Sequence, residues 1–249
     1  MTDELLKYLD EIRELKQKLL PDPSKVYRYL RYDSWYKPHM SGGGDYFDVT
    51  ELPGEDNHYG LIIADVSGHG PGAAVEVSML DSILRTYPVD LHKGPAGALN
   101  YTNRHLFTRN YRGNFITAFI LNYDGNRNRI SFVNAGHPPP LIVHNDGKVE
   151  ILRENLHIPL CIDQEYAFTN HHIESDGIER IVLYTDGITE IKSESGQELV
   201  IEGLREIVEE GKDVQSVKKR IIEFASETEL TESDDITLLI ADLLPQYNR

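Results

Sequence analysis

Cysteine is nearly absent from this sequence, with Cys161 the single one among 249 residues. One cysteine cannot form an internal disulfide, and it cannot build a thiolate metal cluster. Basic residues are also scarce, since 25 Lys and Arg stand against 41 Asp and Glu and give a formal net charge of −16. This deficit argues against nucleic acid and against an anionic membrane surface as the main partner.

Long apolar runs are missing as well. No stretch reaches the ~18 consecutive apolar residues that a membrane-spanning helix needs. The N-terminal residues have neither the basic flank nor the apolar core of a signal peptide. Together with a lone cysteine, which fits a reducing compartment, these features make the cytoplasm the expected location. What the chain does have is 40% hydrophobic residues, enough for a sizeable core.

The first residues predict an amphipathic helix over positions 3 to 19. Apolar side chains follow a seven-residue seam, and two prolines then end the pattern: Leu5, Leu9, Ile12, Leu19, Pro21 and Pro23. This pattern fits two interpretations equally, a helix packed on its own domain and a helix that forms a homodimer or continues a coiled coil. We therefore divide the chain into residues 1–24, a linker or dimerisation helix, and residues 25–249, a single domain.

The sequence of the domain predicts a group of strands, then helices, then a second group of strands, then helices again, and a final strand. The predicted strands cover 26–36, 46–52, 59–66, 115–123, 129–134, 141–144, 166–172, 178–185 and 236–243. The predicted helices cover 72–87, 95–108, 198–209 and 214–228. Because strand and helix do not alternate throughout, antiparallel sheets that carry helices on their faces fit better than a doubly wound parallel sheet.

Acidic residues stand at the ends of four predicted strands. Asp45 follows three glycines, Asp65 and Asp186 each end an apolar run, and Asp234 with Asp235 opens one. Each of these acids taken alone is typical of an ordinary turn. A carboxylate at the end of a buried strand nevertheless costs free energy unless a cation or a hydrogen-bond donor pairs with it. Four such tips brought together by one fold would provide the oxygen ligands that hard divalent cations prefer.

His69 is a candidate proton donor, because it follows Asp65 by four residues in a glycine-rich loop. The alternative is a loop histidine that only bonds to the backbone. No cysteine or serine nucleophile motif is present, which favours attack by water over a covalent intermediate.

Six ordered motifs also carry a resemblance to a known family. They lie at residues 43–49, 63–70, 117–119, 134–141, 183–190 and 234–238. Taken together, they resemble the metal-dependent (PPM-type) serine/threonine protein phosphatases, and more closely their bacterial SpoIIE/RsbU branch. The resemblance extends over roughly residues 25 to 243, although the family often has glycine where this chain has His157 and Cys161.

The resemblance implies an α-β-β-α sandwich of two antiparallel sheets flanked by helices, with two Mn²⁺ or Mg²⁺ ions. It implies that Asp65 bridges both ions and that the Val66 carbonyl is a further ligand. Asp45, Asp186 and Asp234 match the remaining acids of the metal site, and Asp235 is an alternative to its neighbour.

The implied activity is hydrolysis of phosphoserine or phosphothreonine on a regulatory protein. The implied substrate is a phosphorylated anti-sigma-factor antagonist of the STAS type, in a partner-switching pathway. The helix from Gly72 matches an element that can shift to order the metal site, and the N-terminal helix matches a linker to a sensor domain.

Two other functions remain open at this stage. One is a phosphatase-like binding module that has lost turnover, which the intact set of acids disfavours. The other is a metal-dependent hydrolase of nucleotides, since the negative charge disfavours a polymeric nucleic acid but not a nucleotide.

Overall fold

The computed structural model describes residues 3–22, 25–39, 42–54, 56–68, 70–90, 92–109, 113–225 and 234–244. His69 lies outside the described residues. The chain divides into two compact units, each built from separated segments. The first unit comprises Met1–Lys25, Met40–His137 and Glu154–Ser175, and the second comprises Val26–His39, Pro138–Arg153 and Asp176–Arg249.

The first unit contains a six-stranded sheet with helices. Its strands follow the order β2-β3-β4-β5-β8, and β9 also pairs with β5. All pairings are antiparallel except the short β5–β8 pair. The strands are β2 (Asp45–Glu51), β3 (His58–Val66), β4 (Ile116–Asp124), β5 (Arg129–Ala135), β8 (Leu156–His157) and β9 (His171–Glu174); the helices are α1 (Asp3–Gln17), α2 (Pro71–Thr86) and α3 (Gly94–Phe107).

The core of this unit forms where one face of the sheet meets α2 and α3. Strand β3 is buried along almost its whole length, and alternate side chains point to opposite faces. Ile62 and Ala64 therefore share a face, and they pack in one cluster with Val77 of α2 and Leu99 of α3. Helix α2 begins with a proline directly after Gly70, whose φ of 82° a residue with a side chain rarely adopts.

The second unit contains a five-stranded sheet in the order β1-β11-β10-β6-β7. Its elements are β1 (Leu30–Lys37), β6 (Leu141–His144), β7 (Val149–Ile151), β10 (Ile178–Tyr184), β11 (Ile236–Leu243), α4 (Asp186–Thr189), α5 (Val200–Glu210) and α6 (Val214–Phe224). Val182 and Ile240 of the sheet pack in one cluster with Leu204 of α5 and Val217 of α6. A capping box between Asp213 and Ser216 fixes the start of α6.

The predicted fold class is confirmed: the protein is α+β, with two mostly antiparallel sheets and accompanying helices. The helix predicted for residues 3 to 19 is present as α1. The last predicted residues of the helix at 214–228 lie outside the described part of the chain. No helix among the described residues is long and apolar enough to cross a membrane.

One predicted strand is wrong over most of its length. The pattern at 166–172 predicts a strand, but β9 begins only at His171. The preceding segment is held by side chains instead, because Asn100 of α3 accepts from the Phe168 N–H at 2.8 Å and donates to the Phe168 carbonyl at 3.0 Å. These bonds satisfy the backbone groups that a neighbouring strand would otherwise pair.

Candidate metal centre

Asp45 and Asp65 lie directly opposite each other in the antiparallel pair of β2 and β3. Residues in direct opposition share a face of the sheet, so the two carboxylates belong to the same face and the same edge. Asp45 is only 1% exposed. The sequence predicted two acids at strand ends, and the register brings these two together.

Gly44 allows a close approach of the backbone to this acidic pair. A Cβ at this position would lie 2.8 Å from the Val66 carbonyl oxygen and 3.1 Å from Oδ1 of Asp65. The Val66 N–H donates to the Gly44 carbonyl at 3.2 Å. A side chain at position 44 would therefore fill the space beside the two oxygens that are predicted to bind metal.

Asp186 and Asp234 stand on neighbouring turns of the second unit. Asp186 begins α4 directly after β10, and Asp234 lies just before β11, which pairs with β10. A Cβ on Gly187 would lie 2.1 Å from the Asp235 carbonyl oxygen. Only glycine permits this close approach of the two turns, which are joined nearby by the Thr237 N–H donating to Oγ1 of Thr185 at 3.0 Å.

Negative charge accumulates at these turns. Although Asp186 keeps contact with solvent, desolvation by the surrounding protein raises its pKa, and the charge of Asp234 raises it further. Burial and the charges of Asp186 and Asp234 likewise raise the pKa of Glu190. A cation at the turns would offset this repulsion. Glu190 was missed from the sequence as a neighbour of the site, although it ends one of the six motifs.

Asp234 and Asp235 have different surroundings. Oδ1 of Asp235 accepts the His39 backbone N–H at 2.7 Å, and the residue is 6% exposed. Asp234 is exposed, and its Oδ1 accepts the Asp235 N–H at 2.8 Å. The carboxylate of Asp235 thus ties the start of β11 to the segment after β1.

A buried histidine supports the strand beside Asp65. Thr117 of β4 lies opposite Asp65, and its Oγ1 is 2.9 Å from Nδ1 of His137. Asn134 accepts the His137 N–H at 2.8 Å and donates to its carbonyl at 2.9 Å. His137 is 3% exposed. The sequence alone indicated no function for this histidine, although its place within the motif at residues 134–141 was an available signal.

Helix α1 contacts the glycine loop that precedes Asp45. The Lys16 ammonium donates to the Gly43 carbonyl at 2.6 Å, and Lys16 is 5% exposed. A Cβ on Gly42 would lie 3.1 Å from the Ala74 Cβ of α2 and 3.5 Å from Ile12 Cγ2 of α1. Sequence analysis missed Lys16, because a lysine on an amphipathic helix is normally a solvated residue.

The acids described here form two pairs, Asp45 with Asp65 in the first unit and Asp186 with Asp234 in the second. Both pairs offer only oxygen donors, which suits a hard divalent cation. Within the part of the chain that the structure describes, no three His, Cys, Asp or Glu side chains lie close enough together to hold a metal ion. The gathering of all four acidic strand ends at one site therefore stays a prediction.

Comparison with known proteins identifies the family. The family model for Stage II sporulation protein E (SpoIIE) matches residues 55–244. The chain belongs to the SpoIIE family. The resemblance found in the sequence motifs is thereby confirmed.

Two curated relatives of this SpoIIE-family chain are phosphoserine phosphatases of Bacillus subtilis (strain 168). RsbP is 29% identical over 185 residues, which cover 72% of this chain and 44% of RsbP. RsbU is 28% identical over 162 residues, which cover 64% of this chain and 46% of RsbU. The chain thus spans less than half the length of either relative.

Solved structures share the fold of this SpoIIE-family chain at low sequence identity. The SiaA-PP2C domain of Pseudomonas aeruginosa matches with a TM-score of 0.78 and 18% identity, covering 96% of this chain and 97% of that domain. RsbX, solved in complex with magnesium, matches with a TM-score of 0.64 and 16% identity, covering 88% of this chain and 98% of RsbX.

At one position where the family often has glycine, the chain has a backbone conformation that favours glycine. Cys161 has a φ of 68°. Its N–H donates to Oδ1 of Asn103 at 2.8 Å. His157, the other departure, bonds through Nδ1 to the Tyr166 hydroxyl and through Nε2 to Asn155, both at 2.9 Å. Both substitutions are therefore accommodated by local hydrogen bonds.

Proposed function

We propose that this SpoIIE-family chain is a metal-dependent phosphatase that removes phosphate from serine or threonine of a regulatory protein. The observation that carries the proposal is the in-register pair of Asp45 and Asp65 beside the Gly44–Val66 contact. It agrees with the names of two relatives, the phosphoserine phosphatases RsbP and RsbU.

The metal site of the proposal uses two Mn²⁺ or Mg²⁺ ions held by oxygen. In this proposal Asp45, Asp65, the Val66 carbonyl, Asp186 and Asp234 would hold the ions. We assign the ligand role to Asp234 rather than Asp235, because Asp234 is exposed and its charge acts more strongly on Asp186, whereas Asp235 is only 6% exposed. When bound, such ions supply Lewis acidity and lower the pKa of water.

The residues of the chain then position the reactants. The oxygen of a water attacks phosphorus, the bond from phosphorus to the seryl or threonyl oxygen breaks, and that oxygen takes up a proton. The proton comes from water or from His69. The contact between Thr117 and His137 lies on β4 directly opposite Asp65, so it supports the neighbouring strand at the position of this carboxylate.

The proposed substrate is the phosphorylated form of a STAS-type anti-sigma-factor antagonist, whose dephosphorylation would drive partner switching in the cytoplasm. The proposal also includes a homodimer through α1. Tyr8 and Leu15 lie seven residues apart on this helix and are 53% and 62% exposed, so they form an apolar seam that a second copy can cover.

The test uses purified chain with Mn²⁺ and a protein that carries phosphoserine. Asp65→Ala and Asp186→Asn should each lower the rate of phosphate release by well over tenfold. Asp176→Asn is the matched control, because this aspartate is exposed on the turn between β9 and β10. Unchanged rates in the two site variants would end the proposal. Weak or absent Mn²⁺ binding by calorimetry, without phosphate release from proteins, would favour a binding module instead. Release of phosphate from nucleotides alone would favour a nucleotide hydrolase.

A further inference from the structure

One exposed aromatic side chain lies next to the acidic pair of the first unit. Phe115 directly precedes β4 and pairs with Ser67, which directly follows β3, because the Ser67 N–H donates to the Phe115 carbonyl at 2.9 Å. This pair continues the register of the two strands, in which Asp65 lies opposite Thr117. Side chains two positions apart along a strand point to the same face. Phe115 therefore belongs to the face that carries Asp65, one pair closer to the end of the sheet.

The two faces of the sheet differ in exposure at this end. Val66 and Ile116 point to the face that α2 and α3 cover, and they are 1% and 2% exposed. On the opposite face Asp65 and Thr117 are half-buried, and Phe115 is 39% exposed. The face that carries the acids thus becomes more accessible from Asp65 toward Phe115.

The backbone that carries Phe115 is fixed by hydrogen bonds. Its N–H donates to Oγ of Ser67 at 2.9 Å, and its carbonyl accepts the Ser67 N–H. The neighbouring Asn114 donates through Nδ2 to Oε1 of Glu76 on α2 at 2.9 Å. An aromatic ring on a fixed backbone contacts a partner at a low entropic cost, because few side-chain torsions remain to be ordered.

A single exposed hydrophobic residue is common on protein surfaces and needs no function, but the position of Phe115 distinguishes it. Strands rise about 3.3 Å per residue, so Phe115 lies about 7 Å along β4 from Thr117, the residue opposite Asp65. A phosphoserine side chain is short, so a polypeptide that presents it to a metal ion at Asp65 passes close to the surrounding sheet. The residues next to the phosphoserine are then within reach of the Phe115 ring.

We propose that Phe115 selects protein substrates by packing against an apolar side chain next to the phosphorylated serine or threonine. This selectivity rests on the proposed phosphatase function and specifies its substrates as phosphoproteins with an apolar residue beside the phosphorylated one. Aromatic residues are frequent anchors of such contacts, because they bury a large apolar area. Phe115 takes no part in the chemical step, so its loss weakens substrate binding and leaves turnover at saturation unchanged.

The kinetic test uses two phosphoserine peptides that differ only in the residues on both sides of the phosphoserine, leucine in one and serine in the other. With Mn²⁺, the parent chain should hydrolyse the leucine peptide with a kcat/KM at least tenfold higher. Phe115→Ala should remove this preference by raising KM for the leucine peptide, while kcat stays within about twofold. Phe115→Tyr keeps an aromatic ring and should keep the preference.

The matched control is Ile222→Ala. Ile222 is another large hydrophobic residue, 41% exposed on α6 of the second unit. Because it lies outside the first unit, its truncation should leave the preference for the leucine peptide unchanged.

A binding measurement without turnover uses the full chain labelled with 4-fluorophenylalanine, in the presence of Mg²⁺. The peptides carry a phosphonate in place of the phosphate, which cannot be hydrolysed. The fluorine signal of Phe115, assigned by its absence in Phe115→Tyr, should shift saturably with the leucine peptide. The serine peptide should need at least a fivefold higher concentration for the same shift. The signals of the buried Phe119 and Phe132 should stay in place.

Hydrolysis of both peptides with equal kcat/KM by the parent chain would overturn the selectivity and leave the proposed phosphatase function intact. A preference for leucine that persists in Phe115→Ala, or a Phe115 signal that the leucine peptide does not shift, would overturn it as well. A parent chain that hydrolyses neither peptide would contradict the proposed function instead. The fluorine signal would in that case still decide whether Phe115 contacts the leucine peptide.

Discussion

At the scale of single residues, the chain keeps some strained positions. Cys161 adopts a φ of 68°. For an L-residue this backbone conformation is less favourable than the right-handed one by roughly 1–2 kcal/mol. The backbone N–H of Cys161 is nevertheless bonded to Asn103. The family often has glycine at this position, and the sequence alone could not show which backbone conformation cysteine adopts here. The structure places Cys161 in the left-handed region that favours glycine.

We expect Cys161→Gly to be neutral or slightly stabilising, because the relief of strain is offset by about 0.5–1 kcal/mol of additional chain entropy in the unfolded state. Cys161→Val should lower the free energy of unfolding by more than about 1 kcal/mol, since a β-branched side chain tolerates positive φ poorly. Urea denaturation of the two variants checks this. Equal stability of both would mean that position 161 carries no backbone strain.

A buried carboxylate at the far end of β3 and β4 gives a pH-dependent prediction. Asp124 is 6% exposed and lies 2.8 Å from Nε2 of His58 and 2.9 Å from Nη1 of Arg127. Burial acts to raise the pKa of Asp124, but the hydrogen bonds from Arg127 and His58 outweigh it and lower the pKa. The ionised Asp124 therefore stabilises the folded protein at pH values above the pKa that this carboxyl has in the unfolded chain. The stabilisation is lost as the pH falls through the lower pKa of Asp124 in the folded protein.

Asp124→Asn should accordingly destabilise the protein by about 2 kcal/mol at pH 7, as expected for hydrogen bonds to charged groups. The difference from the parent chain should shrink as the pH falls below about 4, where the unfolded-state carboxylate takes up its proton. Thermal unfolding at a series of pH values measures this. A difference that is constant between pH 7 and pH 3 would contradict the explanation.

At the scale of elements, hydrophobic periodicity predicted the strands well. It failed for a segment whose backbone is bonded to side chains rather than to another strand. The bounds of β6 and β11 match the prediction, because each is an apolar run between turn signals. The segment before β9 does not, because its partner is Asn100 of α3 rather than another strand. Such a bond joins residues 68 positions apart, and nothing in the local pattern of either segment reveals it.

Helix α1 yields a prediction about the glycine loop. Lys16→Met removes the ammonium from the Gly43 carbonyl and leaves that acceptor buried, which costs about 1–3 kcal/mol. Because Gly43 lies two residues before Asp45, we expect a severalfold higher Mn²⁺ concentration for half-maximal phosphate release. Lys18→Met on the exposed part of the same helix region is the control. An unchanged metal requirement in Lys16→Met would show that the bond only anchors the helix.

At the scale of the whole molecule, the sequence predicted which acids stand at strand ends but not how closely each pair meets. Asp45 and Asp65 are 20 positions apart, and their opposition depends on the register of a hairpin whose turn includes Pro53. The contact of Gly187 with the Asp235 carbonyl depends on two strands that are distant in the chain. The family motifs identified the individual acids of the site, which periodicity could not do, because periodicity indicates helices and strands and not the function of single residues.

The exposed seam of α1 predicts the oligomeric state. Leu15→Glu should shift a dimer toward monomer, because it replaces one of the two apolar residues of the Tyr8–Leu15 seam with a charge. Gln17→Glu adds the same charge at an exposed neighbouring position and should leave the dimer intact. Sedimentation velocity at several concentrations distinguishes the two. A parent chain that is monomeric at every concentration would refute the dimer.

The pairing of β1 with β11 has a consequence for synthesis of the protein. Leu30 pairs with Leu243, so the earliest strand of the second sheet waits for the last one to leave the ribosome. At typical elongation rates this delay is on the order of 10–40 s. Throughout that time the nascent chain exposes unpaired strand edges, which are prone to aggregation. Truncation before residue 236 would remove β11 and make that exposure permanent.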